Sequence, residues 1–133
     1  MKTVTLGDLL GGWALSREIR QGDGGSARFE GVGQWTRRDD GAADYVETGA
    51  LILPEGRFTA ERRYRWAPDL RVFFDDGRFF HAVPPEGGDA GHWCDPDQYD
   101  LTYDFGNWPR WQVECRVAGP RKSYVMTSLY SPE

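Results

Sequence analysis

The sequence predicts a single all-β domain, an antiparallel up-and-down barrel of about nine strands with one short helical turn at the N-terminus. Three observations indicate this fold class. Apolar and aromatic segments recur at near-even spacing. The turns between them are too short for the crossover helices that a parallel sheet needs. Gly31, Gly33 and Gly49 lie inside predicted strands, where the curvature of a barrel needs points of bending.

The composition is that of one folded domain spanning residues 1–133, with 39% hydrophobic and 14% aromatic residues. The net charge is −5 and basic residues form no run, so we expect no nucleic-acid partner. No stretch is apolar enough for a membrane span or a signal peptide, and we therefore expect a cytoplasmic protein without a membrane partner. Cys94 and Cys115 are the only cysteines; we expect free thiols and no metal site.

The elements follow in chain order. Within residues 3–10, Thr5 can cap a short apolar turn that Gly11 and Gly12 end, and such a turn can plug one end of a barrel. In the segment 92–105, Asp95-Pro96-Asp97 is expected to form a turn that splits the strand. Strands are predicted over residues 13–20, 27–38, 43–53, 57–66, 70–74, 78–83, 92–105, 108–117 and 121–130.

Two short motifs at the ends of this pattern resemble those of lipocalin-like (calycin) barrels. Gly11-Gly12-Trp13 opens the first long strand, and Gly119-Pro120-Arg121 opens the last. The resemblance implies that the Arg121 guanidinium packs across the Trp13 indole and closes the barrel base. Such a cation–π contact is worth about 0.5–2 kcal/mol.

Over most of its length the chain is also similar to a family of uncharacterised bacterial proteins with a calycin-like barrel. This resemblance implies the fold and carries no established activity. The similar stretches are residues 10–13, 45–49, 63–66, 79–81, 92–94, 97–99 and 119–124.

Alternation along the strands predicts which side chains enter the barrel. Glu47, Arg62, Tyr64 and His81 fall on faces that also carry apolar residues. A buried charge must be paired, so two alternatives stay open. Glu47 and Arg62 form an ion pair across neighbouring strands, or Arg62 contacts an anionic ligand. On the last strand, composition leaves undecided whether the face with Tyr124 or the opposite face points inward.

The densest group of reactive side chains lies in residues 92–100. His92 and Cys94 point the same way on a strand, and His81 could lie beside them, so zinc binding or a Cys–His nucleophile is an alternative to a structural role. The segment has no metal-binding spacing motif, and we predict that its role is structural. The candidate catalytic residues are His81, His92, Tyr64 and Tyr99. The candidate ligand-binding residues are Glu47, Arg62, Tyr64, His81, His92, Cys94, Tyr99 and Tyr124.

The sequence leaves three classes of function open, and it does not decide whether the protein is an enzyme. The first is a barrel that binds a small, partly polar or anionic organic molecule. The second is an enzyme with His, Tyr and Glu acid–base chemistry inside the barrel. The third is a packed interaction protein, in which an exposed patch of Trp93, Trp108 and Trp111 would form a homodimer face. No cofactor is predicted, although the fold resemblance allows haem on His81 or His92.

Overall fold

The computed structural model describes residues 2–133, which form one ten-stranded antiparallel sheet curled into a nearly closed barrel. The order of strands in the sheet is β6-β5-β4-β3-β2-β1-β10-β9-β8-β7. No helix within residues 2–133 is long and apolar enough to cross a membrane. The elements are α1 (Leu6–Leu9), β1 (Gly11–Gln21), β2 (Ser26–Arg37), β3 (Ala43–Leu53), β4 (Gly56–Trp66), β5 (Arg71–Phe74), β6 (Phe79–Ala82), β7 (Gly88–Cys94), β8 (Asp97–Asp104), β9 (Trp111–Ala118) and β10 (Ser123–Pro132).

The predicted all-β barrel is confirmed, with ten strands instead of about nine. The difference arises in the segment 92–105, which divides at Asp95-Pro96 into β7 and β8. Proline has no N–H to donate to a ladder, so a turn here breaks the pairing. β7 also begins at Gly88, earlier than the predicted strand start at residue 92.

The short helix α1 is held by its cap and covers the end of the barrel at which β1 begins. The Asp8 N–H donates to Thr5 Oγ1 at 3.3 Å, and the Thr5 N–H donates to Asp8 Oδ2 at 2.9 Å. This reciprocal capping box satisfies two N–H groups at the start of a helix. Leu6 and Leu9 are buried in the core, so the helix plugs the barrel as the sequence predicts.

The predicted contact between Trp13 and Arg121 is wrong. The strand register pairs Trp13 with Pro132, the last residue of β10. Arg121 precedes the first residue of β10, and is exposed at the opposite end of that strand. The indole N–H of Trp13 instead donates to the carbonyl oxygen of Leu9 at 2.7 Å, and its ring lies 5.5 Å from that of Trp108. Aromatic packing and α1 therefore close this end.

Two glycines bring β2 and β3 unusually close together. Gly31 and Gly49 are direct partners in the register. A Cβ at Gly31 would collide with the carbonyl oxygen of Thr48, and a Cβ at Gly49 with that of Glu30. Glycine in a strand interior permits such close backbone approach, and this fits the predicted role of these positions in barrel curvature.

The two edges of the sheet, β6 and β7, meet at a seam where side chains pack together. Phe80 on β6 places its ring centroid 5.5 Å from that of His92 on β7 and 5.6 Å from that of Tyr99 on β8. The Phe80 ring also stacks on Phe74 at 4.5 Å. Aromatic contacts thus connect the edges and form one wall of the interior.

Candidate functional site

The barrel contains an interior cavity of about 280 Å³. This volume lies just below the roughly 300–1,000 Å³ of pockets for drug-sized ligands. It exceeds the roughly 150 Å³ of an apolar cavity that accepts benzene. The space therefore suits a small molecule of one or two rings. Its aromatic lining consists of Tyr45, Tyr64, Trp66, Phe74, Phe80, His81, Tyr99, Tyr103, Tyr124 and Tyr130.

A buried ion pair forms part of the cavity wall. Arg17 on β1 and Glu47 on β3 are only 7% and 2% exposed. Arg17 Nη1 donates to Glu47 Oε2 at 2.5 Å, and Nη2 donates to Oε1 at 3.0 Å. This two-pronged geometry is the strongest form of arginine–carboxylate contact. The pair neutralises both charges inside the barrel.

Hydrogen bonds extend this pair across the interior. Arg17 Nε donates to Ser128 Oγ at 2.7 Å, and the Tyr45 hydroxyl donates to Glu47 Oε1 at 2.8 Å. The hydroxyls of Tyr45 and Tyr130 lie 2.8 Å apart. Burial is the largest single effect and disfavours the charged carboxylate, but the hydrogen bonds from Arg17 and Tyr45 and the charges of Arg17 and Arg62 together outweigh it and hold the pKa of Glu47 below its ordinary value. The acid therefore stays ionised.

A glycine on β2, the strand between β1 and β3, gives this pair room to form. β2 lies between those strands in the sheet. Its residue Gly33 is the register partner of Glu47. A Cβ at Gly33 would lie 2.8 Å from the Tyr45 hydroxyl oxygen. Glycine therefore leaves room for the tyrosine that orients the carboxylate.

Of the two alternatives, the ion pair between Glu47 and Arg62 is wrong, although the two residues are direct register partners on β3 and β4. Both Glu47 oxygens are bound by Arg17, a residue that the sequence reasoning missed. The sequence pattern does indicate Arg17, because it shares the buried face of β1 with Trp13 and Leu15, at every second position.

Arg62 lies at the rim of the cavity, where it is exposed and also lines an adjoining surface cleft. The ion pairs within residues 2–133 give its guanidinium no carboxylate partner. Its neighbour Arg63 is paired, with Nε donating to Glu61 Oε2 at 2.8 Å. The cavity therefore has one cation at its rim that is free to meet an anion.

His81 is a second polar group in the cavity wall. Its Nε2 lies 2.7 Å from the Tyr103 hydroxyl oxygen, while its Nδ1 is buried without a hydrogen-bond partner. Burial, together with the nearby His92, lowers the pKa of His81 to about 4. The imidazole is therefore neutral at neutral pH.

The remaining predicted site residues divide into two groups. Tyr64, Tyr99 and Tyr124 line the cavity with Glu47, Arg62 and His81. His92 and Cys94 are half-buried on β7 and are not part of the lining. Both cysteines are free, and residues 2–133 contain no cluster of His, Cys, Asp and Glu that could hold a metal ion. On β10 the inward face is the one with Tyr124, Met126, Ser128 and Tyr130.

The predicted surface patch of tryptophans is wrong. Trp111 is buried and stacks on Tyr130, with ring centroids 4.1 Å apart. Trp108 is half-buried against Trp13. Only Trp93 is largely exposed, at 59%. The homodimer stays a prediction without that patch to support it.

The fold and the cavity together define a lipocalin-like barrel with an interior cavity that opens at the rim. The chain belongs to a family of unknown function (DUF6314), whose model matches residues 9–132. No curated protein shows significant sequence similarity to it. Among solved structures it is similar to the S-type phycobiliprotein lyase CPES from Guillardia theta, with a TM-score of 0.62 and 7% identity over 94% of this chain and 87% of that chain. At this identity the likeness shows the fold alone.

Proposed function

We propose that this barrel binds a small, partly polar organic anion in its interior cavity, with Arg62 contacting the anionic group. The observation that carries the proposal is the contrast between the two arginines of the cavity wall. Arg17 is buried and donates hydrogen bonds from all three of its side-chain nitrogens, two to Glu47 and one to Ser128. Arg62 stands at the rim without a carboxylate partner in the described part of the chain. A guanidinium beside a largely aromatic pocket is suited to hold a carboxylate.

The structural neighbour supports this proposal only in general terms. A phycobiliprotein lyase has a similar fold, so this architecture can serve proteins that are not simply structural. We do not extend the proposal to haem. A porphyrin ring exceeds a cavity of about 280 Å³, and Nε2 of His81 is already bonded to Tyr103.

The test is a binding measurement with defined anions. Isothermal titration calorimetry would compare 2-naphthoate, octanoate and the uncharged 2-naphthalenemethanol. We expect at least one of the two acids to bind in the micromolar range. An uncharged analogue should bind more weakly, because it forgoes a charge-assisted hydrogen bond. Native mass spectrometry of freshly purified protein would show whether a ligand remains bound.

Variants of two neighbouring arginines separate the site from general charge effects. Arg62→Gln should weaken binding of the acid about tenfold, the lower end of the roughly 1.5–3 kcal/mol that a hydrogen bond to a charged group is worth, because Arg62 is exposed. Arg63→Gln removes the same charge from a residue paired with Glu61 outside the cavity, and should leave affinity within a factor of two. Equal effects of the two variants on affinity would overturn the proposal, and so would the failure of every carboxylic acid tested to bind.

An acid–base enzyme inside the same barrel is the second candidate. The observation that favours it is the hydrogen bond between His81 and Tyr103, two titratable groups in the cavity wall. A histidine with a pKa of about 4 is a weak base at neutral pH, so we rank binding first. Turnover of a bound acid that is lost in His81→Gln, with binding retained, would favour the enzyme.

A further inference from the structure

Two polar atoms in the cavity wall have no hydrogen-bond partner within the described residues. They are the indole nitrogen Nε1 of Trp66 and the imidazole nitrogen Nδ1 of His81. Both side chains are at least nine-tenths buried, at 5% and 3% exposure. Buried polar groups in folded proteins are nearly always bonded. Two such groups in the wall of one cavity are therefore places where a ligand can form hydrogen bonds.

These two groups lie in one row across three strands. Trp66 on β4 pairs with Val72 on β5, and Val72 pairs with His81 on β6. Both side chains reach the same cavity from this row. Val72 lies between them in the register and lines the same cavity.

Aromatic side chains line the part of the cavity between this row and Arg62 at the rim. Arg62, Tyr64 and Trp66 are successive cavity-lining positions on β4. Arg62 and Trp66 are therefore about 13 Å apart along the strand, at roughly 3.3 Å per residue. The Tyr64 ring between them lies 6.0 Å from the ring of Phe80 and 6.2 Å from that of Phe74. The space between the two polar ends is thus bounded by flat apolar surfaces.

We propose that the ligand is an aromatic acid with a hydroxyl group at the end opposite its carboxylate. This inference rests on the proposed function and makes it more specific. The carboxylate meets Arg62, the ring lies against Tyr64, Phe74 and Phe80, and the hydroxyl sits between Trp66 and His81.

A hydroxyl is the group that matches the two atoms chemically. The indole nitrogen can only donate a hydrogen bond, and a hydroxyl oxygen accepts it. When His81 Nε2–H donates to the Tyr103 hydroxyl, Nδ1 is an acceptor and takes the ligand's O–H. When Tyr103 donates instead, Nδ1–H is a second donor, and the two lone pairs of the ligand oxygen accept both. The hydroxyl therefore satisfies Trp66 and His81 in either tautomer.

The first experiment compares acids that differ only in this hydroxyl. Calorimetric titrations would use 6-hydroxy-2-naphthoate against 2-naphthoate, and 4-hydroxybenzoate against benzoate, to cover two lengths. We expect the hydroxylated acid of at least one pair to bind about tenfold more tightly, because a site with unmet polar groups discriminates against the analogue that leaves them unmet.

The second experiment removes one unmet donor and keeps the ring. Trp66→Phe should reduce the preference for the hydroxylated acid to less than threefold. Trp35→Phe is the matched control, because Trp35 also has a buried indole nitrogen without a partner but does not line the cavity. It should leave the preference unchanged. If Trp66→Phe does not fold, the comparison of acids on the natural chain still decides.

The outcomes separate this inference from the proposed function. Acids that bind through Arg62 without any gain from the hydroxyl overturn the inference and leave the proposed function standing. The inference is likewise overturned, and the proposed function stands, if octanoate binds through Arg62 while all four aromatic acids fail to bind. Failure of every acid overturns both. The inference is also overturned if Trp66→Phe keeps the preference for the hydroxylated acid as fully as Trp35→Phe does. The Trp66 indole would then not be the hydrogen-bond partner of the ligand's hydroxyl group.

Discussion

The buried pair of Arg17 and Glu47 makes the sharpest prediction about stability. The substitution Glu47→Gln keeps the shape of the side chain and removes its charge. It leaves the Arg17 guanidinium, only 7% exposed, without a counter-ion inside the barrel. An uncompensated buried charge is costly, and breaking such a pair from one side costs about 3–5 kcal/mol.

This loss is large compared with the roughly 5–15 kcal/mol of net stability that holds an ordinary domain together. For a chain of 133 residues, each kcal/mol lowers the melting temperature by about 3–5 °C. We therefore expect Glu47→Gln to melt about 10–25 °C below the natural protein. Urea denaturation followed by tryptophan fluorescence would give the same loss as a free energy of unfolding.

The matched control is Glu61→Gln, which removes the carboxylate of the exposed pair with Arg63. A surface pair is worth about 0–1 kcal/mol, so this variant should melt within a few degrees of the natural protein. The double variant Arg17→Met/Glu47→Leu should recover much of the loss, because no buried charge remains. Equal and small effects of Glu47→Gln and Glu61→Gln would refute the assigned role of the buried pair.

Three further predictions concern the same interior. Because the pKa of His81 is about 4 in the folded barrel and about 6.5 unfolded, the unfolded chain binds more protons between these values. The free energy of unfolding should therefore fall by up to about 3 kcal/mol as pH drops from 7 to 4; pH-dependent urea denaturation should show a smaller fall in His81→Gln. Gly33→Ala should lower stability by about 1–3 kcal/mol because the methyl group crowds Tyr45; an unchanged melting curve would contradict this. Cys94 should react with a thiol reagent before Cys115, since burial raises the pKa of Cys115 to about 11; mass spectrometry of partly labelled protein would give the order.

Strand alternation was sufficient to predict much of the candidate site. Arg62, Tyr64 and Trp66 share a face of β4 in the sequence pattern, and all three line the cavity. The same rule placed Glu47 on an inward face, where it is found. These predictions succeeded because inward and outward positions repeat with a period of two along any strand.

Partners across the barrel were not predictable in the same way. Glu47 and Arg62 are neighbours in the register, yet the carboxylate binds Arg17 on a strand that is not adjacent. This choice depends on the absent side chain at Gly33 and on the closeness that barrel curvature imposes. The unmet nitrogens of Trp66 and His81 are likewise visible only when every neighbour is in place.

The sequence by itself determined the fold class, the hairpin order and the aromatic character of the interior, because these follow from local alternation and turn residues. Only the tertiary structure decided how the barrel end is closed and which charge is paired. Trp13 meets Leu9 and Trp108 and not Arg121, because the register of β10 carries Arg121 to the far end. Within the described residues Arg62 has no carboxylate partner, because Arg17 binds both oxygens of Glu47. Contacts between distant strands depend on register and closure in three dimensions, which a period of two cannot specify.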